Sequence, residues 1–441
     1  MTALWWVRRD IRLADNPALI EAQAAGTAAA VFAWTPAIDR WPGRRQAYLA
    51  KTLWSLREST GGALGVRLGT EVDVVRAAAA ECGAETVWAA QEYSPVGMRT
   101  QEAVREALAA DGRELKLIGS PYAVAPGRVT KADGSEYKVF TPFSRAWRAH
   151  GWRAPAVGAD GLSLQPLASD VNLDQQAAYG DTRDPLGFPP RFGEEAALRA
   201  LEEFIGEDGE NSPLNRYAET RDLPAMDATS RLSIALAHGE IHPRTVLSHT
   251  SRHSSTHARI FESQIAWRDF HADVLWRHPR AQRESLTDVL PEDAWSDSSE
   301  EAFTAWKSGH TGFPLVDAGM RELQATGVMH NRVRMVVASF LVKDLRVPWQ
   351  VGADFFREKL LDYDHAQNQL NWQWVAGTGR DAAPFFRIFN PTRQAEKFDP
   401  DRSYIERWVP EIDTPGYAQP IVDHAMEREI TLAAYKRRSG T

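Results

Sequence analysis

Residues 360–391 read LLDYDHAQNQLNWQWVAGTGRDAAPFFRIFNP. Asp362, Asp364, Asn368 and Arg387 stand there beside Trp372, Trp374, Phe385, Phe386 and Phe389, around a Gly-Thr-Gly turn. Surface loops seldom need two indoles one residue apart, and a plain core has no use for so many polar groups. The mixture suits a deep, aromatic-walled pocket for something both flat and charged. Asn368 and Trp372 are four residues apart, so a helix places them on one face and turns Trp374 elsewhere.

Outward from this stretch the second half of the chain has helical spacing. The runs 194–206, around 230–239, 258–277, 314–327, 329–345 and 352–364 all fit. The first half alternates. Short apolar runs at 3–8, 28–34, 65–68, 85–90 and 114–118 are separated by helical patterns. Asp15-Asn16-Pro17 caps and opens one helix that Gly26 closes, and 44–59, 72–82 and 98–110 follow. Strands alternating with helices predict a doubly wound parallel sheet of five strands. The first strand runs into RRDIRLADN rather than a Gly-rich turn, so the dinucleotide-binding form of that fold is excluded. The predicted organisation is α/β plus all-α: an α/β domain over 1–126, a Pro/Gly-marked connector over 127–193, and a helical domain over 194–441. Within the connector, YKVFTPF (137–143) is too apolar for a free linker and is expected to dock.

The chain has 441 residues and a formal net charge of −8, which argues on average against indiscriminate nucleic-acid binding. Its basic residues are mostly Arg, suited to phosphate forks and to stacking on flat groups, although a biased genome composition accounts for that equally. No run of about 18 apolar residues exists, and the N-terminus lacks a signal-peptide layout. A cytoplasmic protein is expected. Cys82 is the sole cysteine, which rules out an internal disulfide and an all-cysteine metal site. Seven of the sixteen tryptophans lie between Trp267 and Trp374, so a Trp-rich core, a stacking platform and an electron path all fit that region.

Three further clusters bear on chemistry. Thr229 or Ser230 reads as the N-cap of a helix ended by Gly239, an ordinary capped helix or an anion site. Gln264, Trp267 and Arg268 stand at i, i+3 and i+4 on one face, an odd set for a core and a fair one for a pocket wall. Asn331, Arg334 and Met335 share a face opposite the core stripe Val333, Val336, Val337 and Phe340. A buried Arg334 needs a carboxylate, and Asp362 or Asp364 can supply it. Trp349 and Trp295 are candidates for a chain of indoles leading outward from Trp372. The run HTSRHSSTH (249–257) carries no carboxylate and is rejected as a metal site, and no Ser-His-Asp arrangement appears.

Taken together, WVRRDIRLADNPAL, EYKVFTPF, TSRLS, IAWRDF, TGFPLVDAGMREL, MHNRVRMVVASFLVKDL, WQWVAGTGRDAAPFFRIFNP and PIVDHAMEREITLAAYK resemble the DNA photolyase and cryptochrome family over nearly the whole chain. The resemblance is nearest to the bacterial class I cyclobutane pyrimidine dimer photolyases. It implies an N-terminal antenna domain and a helical domain holding FAD, active when reduced. It implies light-driven electron transfer to a lesion flipped out of UV-damaged DNA by a monomeric enzyme. By the same resemblance Tyr217, Thr229, Ser230, Leu232, Ser233, Arg268, Asn331, Arg334, Asp362, Asp364 and Asn368 contact the cofactor, with Asn368 beside flavin N5. Trp372, Trp349 and Trp295 look like the photoreduction triad, the last match requiring a one-residue gap. Gln264, Trp267, Met335 and Trp374 look like the lesion pocket, and Arg221, Arg332 and Arg387 like phosphate or pocket-edge contacts.

The departures are informative. Cyclobutane-dimer enzymes usually carry Glu where Gln264 stands, and Gln there resembles the (6-4) photolyases and animal-type cryptochromes. Those have a His pair where this chain has Asn331 and Met335, and Met335 is typical of the cyclobutane-dimer enzymes. Alternatives therefore stay open: a (6-4) or dual-specificity photolyase, or a blue-light receptor without repair. Residues 91–99 and 279–284 lack the folate-pocket pairs, so a second, antenna chromophore is open as a deazaflavin, a flavin or none.

Overall fold

Strands β1 (Thr2–Trp6), β2 (Thr27–Trp34), β3 (Leu64–Leu68), β4 (Ala84–Ala89) and β5 (Glu114–Leu117) form a parallel sheet in the order β3-β2-β1-β4-β5. The expected doubly wound parallel sheet is therefore present. β1 and β2 are buried almost end to end, which is why their sequences are unbroken apolar runs rather than alternating ones. The computed structural model describes residues 2–158, 163–178, 191–206, 212–287, 295, 300–381 and 388–439.

Local signals explain the helix ends. Asn16 accepts from Leu19 N at 3.2 Å and Pro17 opens the helix Pro17–Ala24. Thr70 and Ser94 cap Glu71–Cys82 and Pro95–Ala110 in the same way. The turn after β1 is pinned by Asp10, not by glycines. Its carboxylate accepts from Arg8 N at 2.7 Å and from Trp5 Nε1 at 3.0 Å. Arg8 then reaches the carbonyls of Ala90 and Gly97 and the Gln101 side chain. A guanidinium thus fills the strand ends where a dinucleotide fold seats its pyrophosphate.

The connector holds structure that the sequence reading does not anticipate. A two-residue strand β6 (Leu164–Gln165) pairs with Ala28 and Ala29 of β2, just before β3 takes over that edge at Ala30. The docking expected of 137–143 is met only at Phe143: Lys138, Val139, Thr141 and Pro142 are exposed, and the helix Phe140–His150 buries Phe143 and Trp147.

The chain divides into two units. One comprises Met1–Glu136, Phe143–Asn215 and Ser230–Trp276; the other comprises Tyr137–Pro142, Arg216–Thr229 and Arg277–Thr441. In the first, Gly239 ends the short helix Ser233–His238 with φ +80°. A Cβ there would lie 2.0 Å from the Arg9 carbonyl oxygen, so only glycine fits. The long helix Thr256–Arg277 belongs to the same unit. Its buried Asp269 accepts from Val124 N and Trp147 Nε1, and burial raises its pKa to about 7.

The second unit is helical around one core that includes Trp306, Val333, Val336, Val337, Phe340, Trp349, Phe356 and Trp372. The predicted stripe Val333, Val336, Val337, Phe340 is fully buried. Two expected helices are shorter than read. The run 329–345 is an α-helix over Asn331–Ser339 that widens into a π turn, Phe340–Asp344. That turn lets the buried Lys343 reach the Ala376 carbonyl at 3.2 Å, an insertion of the kind π turns accommodate. The run 352–364 instead forms Trp349–Lys359. Leu360 is extended, and Leu361 N turns to the Gly327 carbonyl at 2.8 Å. Asp364 then caps a new helix, His365–Ala376, ended by Gly377 at φ +78°. Among the described residues no helix is long and apolar enough to cross a membrane.

Candidate functional site

The centre of the second unit's polar cluster is the ion pair of Arg334 and Asp362. Arg334 Nη2 lies 2.8 Å from Asp362 Oδ2, and its Nε donates to the Met329 carbonyl at 2.7 Å. The carboxylate predicted to meet Arg334 is therefore Asp362, while Asp364 accepts from Gln367 N as a helix cap. Asp362 Oδ1 is buried and has no hydrogen-bond partner among the described residues. An orphaned carboxylate oxygen is costly and marks a place where a donor belongs. This is an observation the residues present offer toward a flavin, whose imide and ribityl groups carry such donors.

Asn368 is buried one turn into the following helix, and its Nδ2 donates to the Ala353 carbonyl at 3.0 Å and to Gln369 Oε1 at 2.8 Å. Trp372 shares its face and is buried, whereas Trp374 is half-buried, as the spacing requires. Trp372 packs edge-on to Phe356 at 5.0 Å and to Trp306 at 6.5 Å. Trp306 is fully buried and was not singled out by the sequence, where nothing separates it from its neighbour Trp295. Trp349 is fully buried and donates to Ser285 Oγ at 3.1 Å, and Trp295 packs half-buried against the same core.

Asn331 opens its helix exposed, with Met335 half-buried one turn on. The cap of that helix is His330, whose ring accepts from Arg332 N; burial holds its pKa down at about 4, so the ring is neutral and can accept. Arg332 pairs with Asp222 at 2.9 Å and stacks on Phe398 at 4.4 Å. These residues line a cavity of about 580 Å³ with Phe389, Gln394 and Lys397. The sequence reading missed Asp222, Gln394, Lys397 and Phe398. For Gln394, Lys397 and Phe398 the only signal is an Asn390 cap that opens the amphipathic helix Pro391–Phe398; Asp222 has none. Tyr217 is buried with Arg221 over its ring at 5.3 Å. Thr229 belongs to this unit too; Arg387 lies outside the described residues.

The remaining predicted residues belong to the first unit. Neither Thr229 nor Ser230 caps a helix. Arg231 has φ +52°, which breaks the turn, and the helix starts at Ser233 with Leu232 as its cap residue. Gly239 closes it as expected. Gln264, Trp267 and Arg268 do stand on the one helix, Thr256–Arg277, but with different surroundings. Arg268 is buried, reaching the carbonyls of Pro121 at 2.5 Å and Leu236 at 3.1 Å. Gln264 is half-buried, its Nε2 donating to the Ile260 carbonyl at 3.0 Å, and Trp267 is half-buried against Phe270 and His271. Among the described residues no cluster of His, Cys, Asp and Glu suits a metal ion.

Residues 3–159 match the family model for DNA photolyase, and residues 261–415 match the FAD binding domain of DNA photolyase. The deoxyribodipyrimidine photo-lyase of Agrobacterium fabrum is 37% identical over 471 aligned residues, covering 98% of this chain and 96% of that one. A bacterial class III photolyase from Agrobacterium tumefaciens has a solved structure similar at a TM-score of 0.89 and 36% identity, covering 100% of this chain and 98% of that one. A Synechocystis cryptochrome follows with a TM-score of 0.84, 27% identity, and coverage of 98% and 99%. With relatives this similar along nearly the whole of both chains, the chain belongs to the DNA photolyase family.

Proposed function

We propose that the protein is a light-dependent DNA-repair enzyme, a deoxyribodipyrimidine photo-lyase that splits cyclobutane pyrimidine dimers. The observation that carries this reading is the Arg334–Asp362 pair with its orphaned Oδ1, next in sequence to Asn368 and Trp372. FAD, held by Asp362, Arg334 and Asn368, would supply light-driven, reversible one-electron transfer to the dimer when bound in its reduced form.

The chain's own residues bind, orient and supply electrons. Asp362 Oδ1 accepts from the flavin, and Arg334 keeps that carboxylate ionised and in place. Asn368 offers a neutral amide at N5, where an acid would oppose electron gain. Trp372 is the first electron donor in photoreduction, with Trp349 and Trp295 behind it. Tyr217, Thr229, Ser230, Leu232, Ser233, Arg268 and Asn331 complete the cofactor's contacts. No side chain acts as nucleophile. The remaining task is to hold the dimer outside the duplex, where it is more easily extruded than an intact pair. Trp267 and Trp374 stack on it, Gln264 and Met335 contact its edge, and Arg221, Arg332 and Arg387 meet phosphates. The enzyme works in the cytoplasm as a monomer, with or without an antenna chromophore.

A second reading rests on Gln264. With Gln in that position the protein is also a candidate (6-4) or dual-specificity enzyme. Gln264 ties its Nε2 to the Ile260 carbonyl, a bond that a carboxylate cannot make. Gln264→Glu is expected to raise the yield of cyclobutane-dimer repair, because an ionisable acid stabilises the reduced dimer better than an amide does. Quantum yields on a defined thymine-dimer oligonucleotide check this. An unchanged or lower yield would count against the assignment, and restoration of a (6-4) lesion alone would replace it. A receptor without repair restores neither lesion.

A further inference from the structure

Gln369 sits between the residue assigned to flavin N5 and the first electron-donating indole, and no role has been given to it. It is buried. Its Nε2 donates to the Gln282 carbonyl at 2.6 Å, and its Oε1 accepts from Asn368 Nδ2 at 2.8 Å. Asn368 Nδ2 also donates to the Ala353 carbonyl at 3.0 Å.

Backbone carbonyls only accept, so these two anchors settle both amide orientations. Gln282 fixes Gln369 with its nitrogen outward and its oxygen toward Asn368. Ala353 and Gln369 then take both hydrogens of the Asn368 amide. What Asn368 has left is its carbonyl oxygen, Oδ1; both hydrogen bonds that its side chain makes among the described residues are donated by Nδ2. A side-chain amide is ordinarily two-faced, able to donate or to accept. Here it is reduced to an acceptor.

We propose that Gln369 is a positioning residue that makes Asn368 a pure hydrogen-bond acceptor toward the flavin, so that the site favours a flavin protonated at N5 over one that is not. The inference rests on the assignment of Asn368 to N5 in the proposed function. It concerns the redox balance of the cofactor, not the lesion. Without Gln369 Oε1 the Ala353 carbonyl alone holds the Asn368 amide, and turning the amide over to donate to an unprotonated N5 sacrifices one hydrogen bond instead of two. That change stabilises the oxidised cofactor relative to the reduced one.

The test uses full-length holoprotein and the midpoint potentials of its FAD, read by spectroelectrochemistry from pH 6 to 9. Gln369→Leu and Gln369→Met remove the acceptor at similar volume. Each is expected to shift the equilibrium of proton-coupled reduction toward the oxidised form by about fivefold, the scale of one neutral hydrogen bond. Gln369→Glu, which keeps an oxygen facing Asn368, is expected to fall between them and the wild type. Two apolar variants guard against one that does not fold, and retained FAD shows that each has folded. Wild-type potentials in both Leu and Met variants overturn the role of Gln369. Failure of the wild-type protein to retain FAD overturns instead the functional reading beneath it.

Discussion

Asp362→Ala is expected to yield protein without FAD. Asp362 is nearly inaccessible, and Arg334 retains about a quarter of its side-chain exposure. Removing the carboxylate leaves the guanidinium with the Met329 carbonyl as its neutral partner among the described residues and deletes the acceptor offered to the flavin. Breaking a buried ion pair from one side costs about 3–5 kcal/mol. Arg334's partial access to water places this case near the lower figure, about 3 kcal/mol of folding stability, and the lost acceptor weakens cofactor binding in addition. Asp362→Asn, which keeps the shape, should retain more. The ratio of flavin to protein absorbance after purification, and a fluorescence titration with FAD, measure both. An Asp362→Ala protein that binds FAD like the wild type would contradict the assignment.

The second large effect comes from a glycine. Gly352 lies inside the helix Trp349–Lys359, where alanine would ordinarily stabilise by about 0.5–1 kcal/mol. Its ideal Cβ, however, would lie 2.2 Å and 2.5 Å from two ring carbons of Trp372 and 2.7 Å from Leu341 Cδ2. None of these atoms belongs to a flexible surface chain. Trp372 is 3% exposed and Leu341 is fully buried. Overpacking a core of this kind costs about 1–3 kcal/mol, so the steric term outweighs the helical one. Gly352→Ala is expected to lower the melting temperature and to displace Trp372, slowing light-driven reduction of the flavin. Calorimetry and transient absorption report the two effects separately. A variant that melts higher and photoreduces normally would show that the packing around Trp372 is not as described.

The particular residues show why some of this was legible in the sequence. The parallel sheet could be read because β1 and β2 are buried on both faces and need unbroken apolar runs. That Arg334 needs an acid, Asp362 or Asp364, followed from one rule, that a charge on a largely buried helix needs a partner, and the structure selects Asp362. Helix boundaries were less legible where one residue overrides a pattern. Arg231 at φ +52° delays the helix to Ser233, and the π turn at 340–344 brings Lys343 to the Ala376 carbonyl, a contact from far along the chain that no local spacing announces. The polar wiring was not legible. Gln369 gains its meaning from the Gln282 carbonyl, 87 residues away, and no local spacing announces it. Arg332 was identified, but Lys397 and Phe398, which share its cavity, were not, because each looks like an ordinary residue of a short surface helix.

Reduced FAD in this protein is expected to repair a cyclobutane dimer with light and nothing else. The direct measurement is a single turnover. Holoprotein, reduced without oxygen, is mixed with an oligonucleotide carrying one thymine dimer, and chromatography follows the strand in blue or near-ultraviolet light and in darkness. Restored thymines are expected in the light, none in the dark, and none from a flavin-free preparation. Equal conversion in light and dark, or no conversion of the dimer under any illumination, would contradict it.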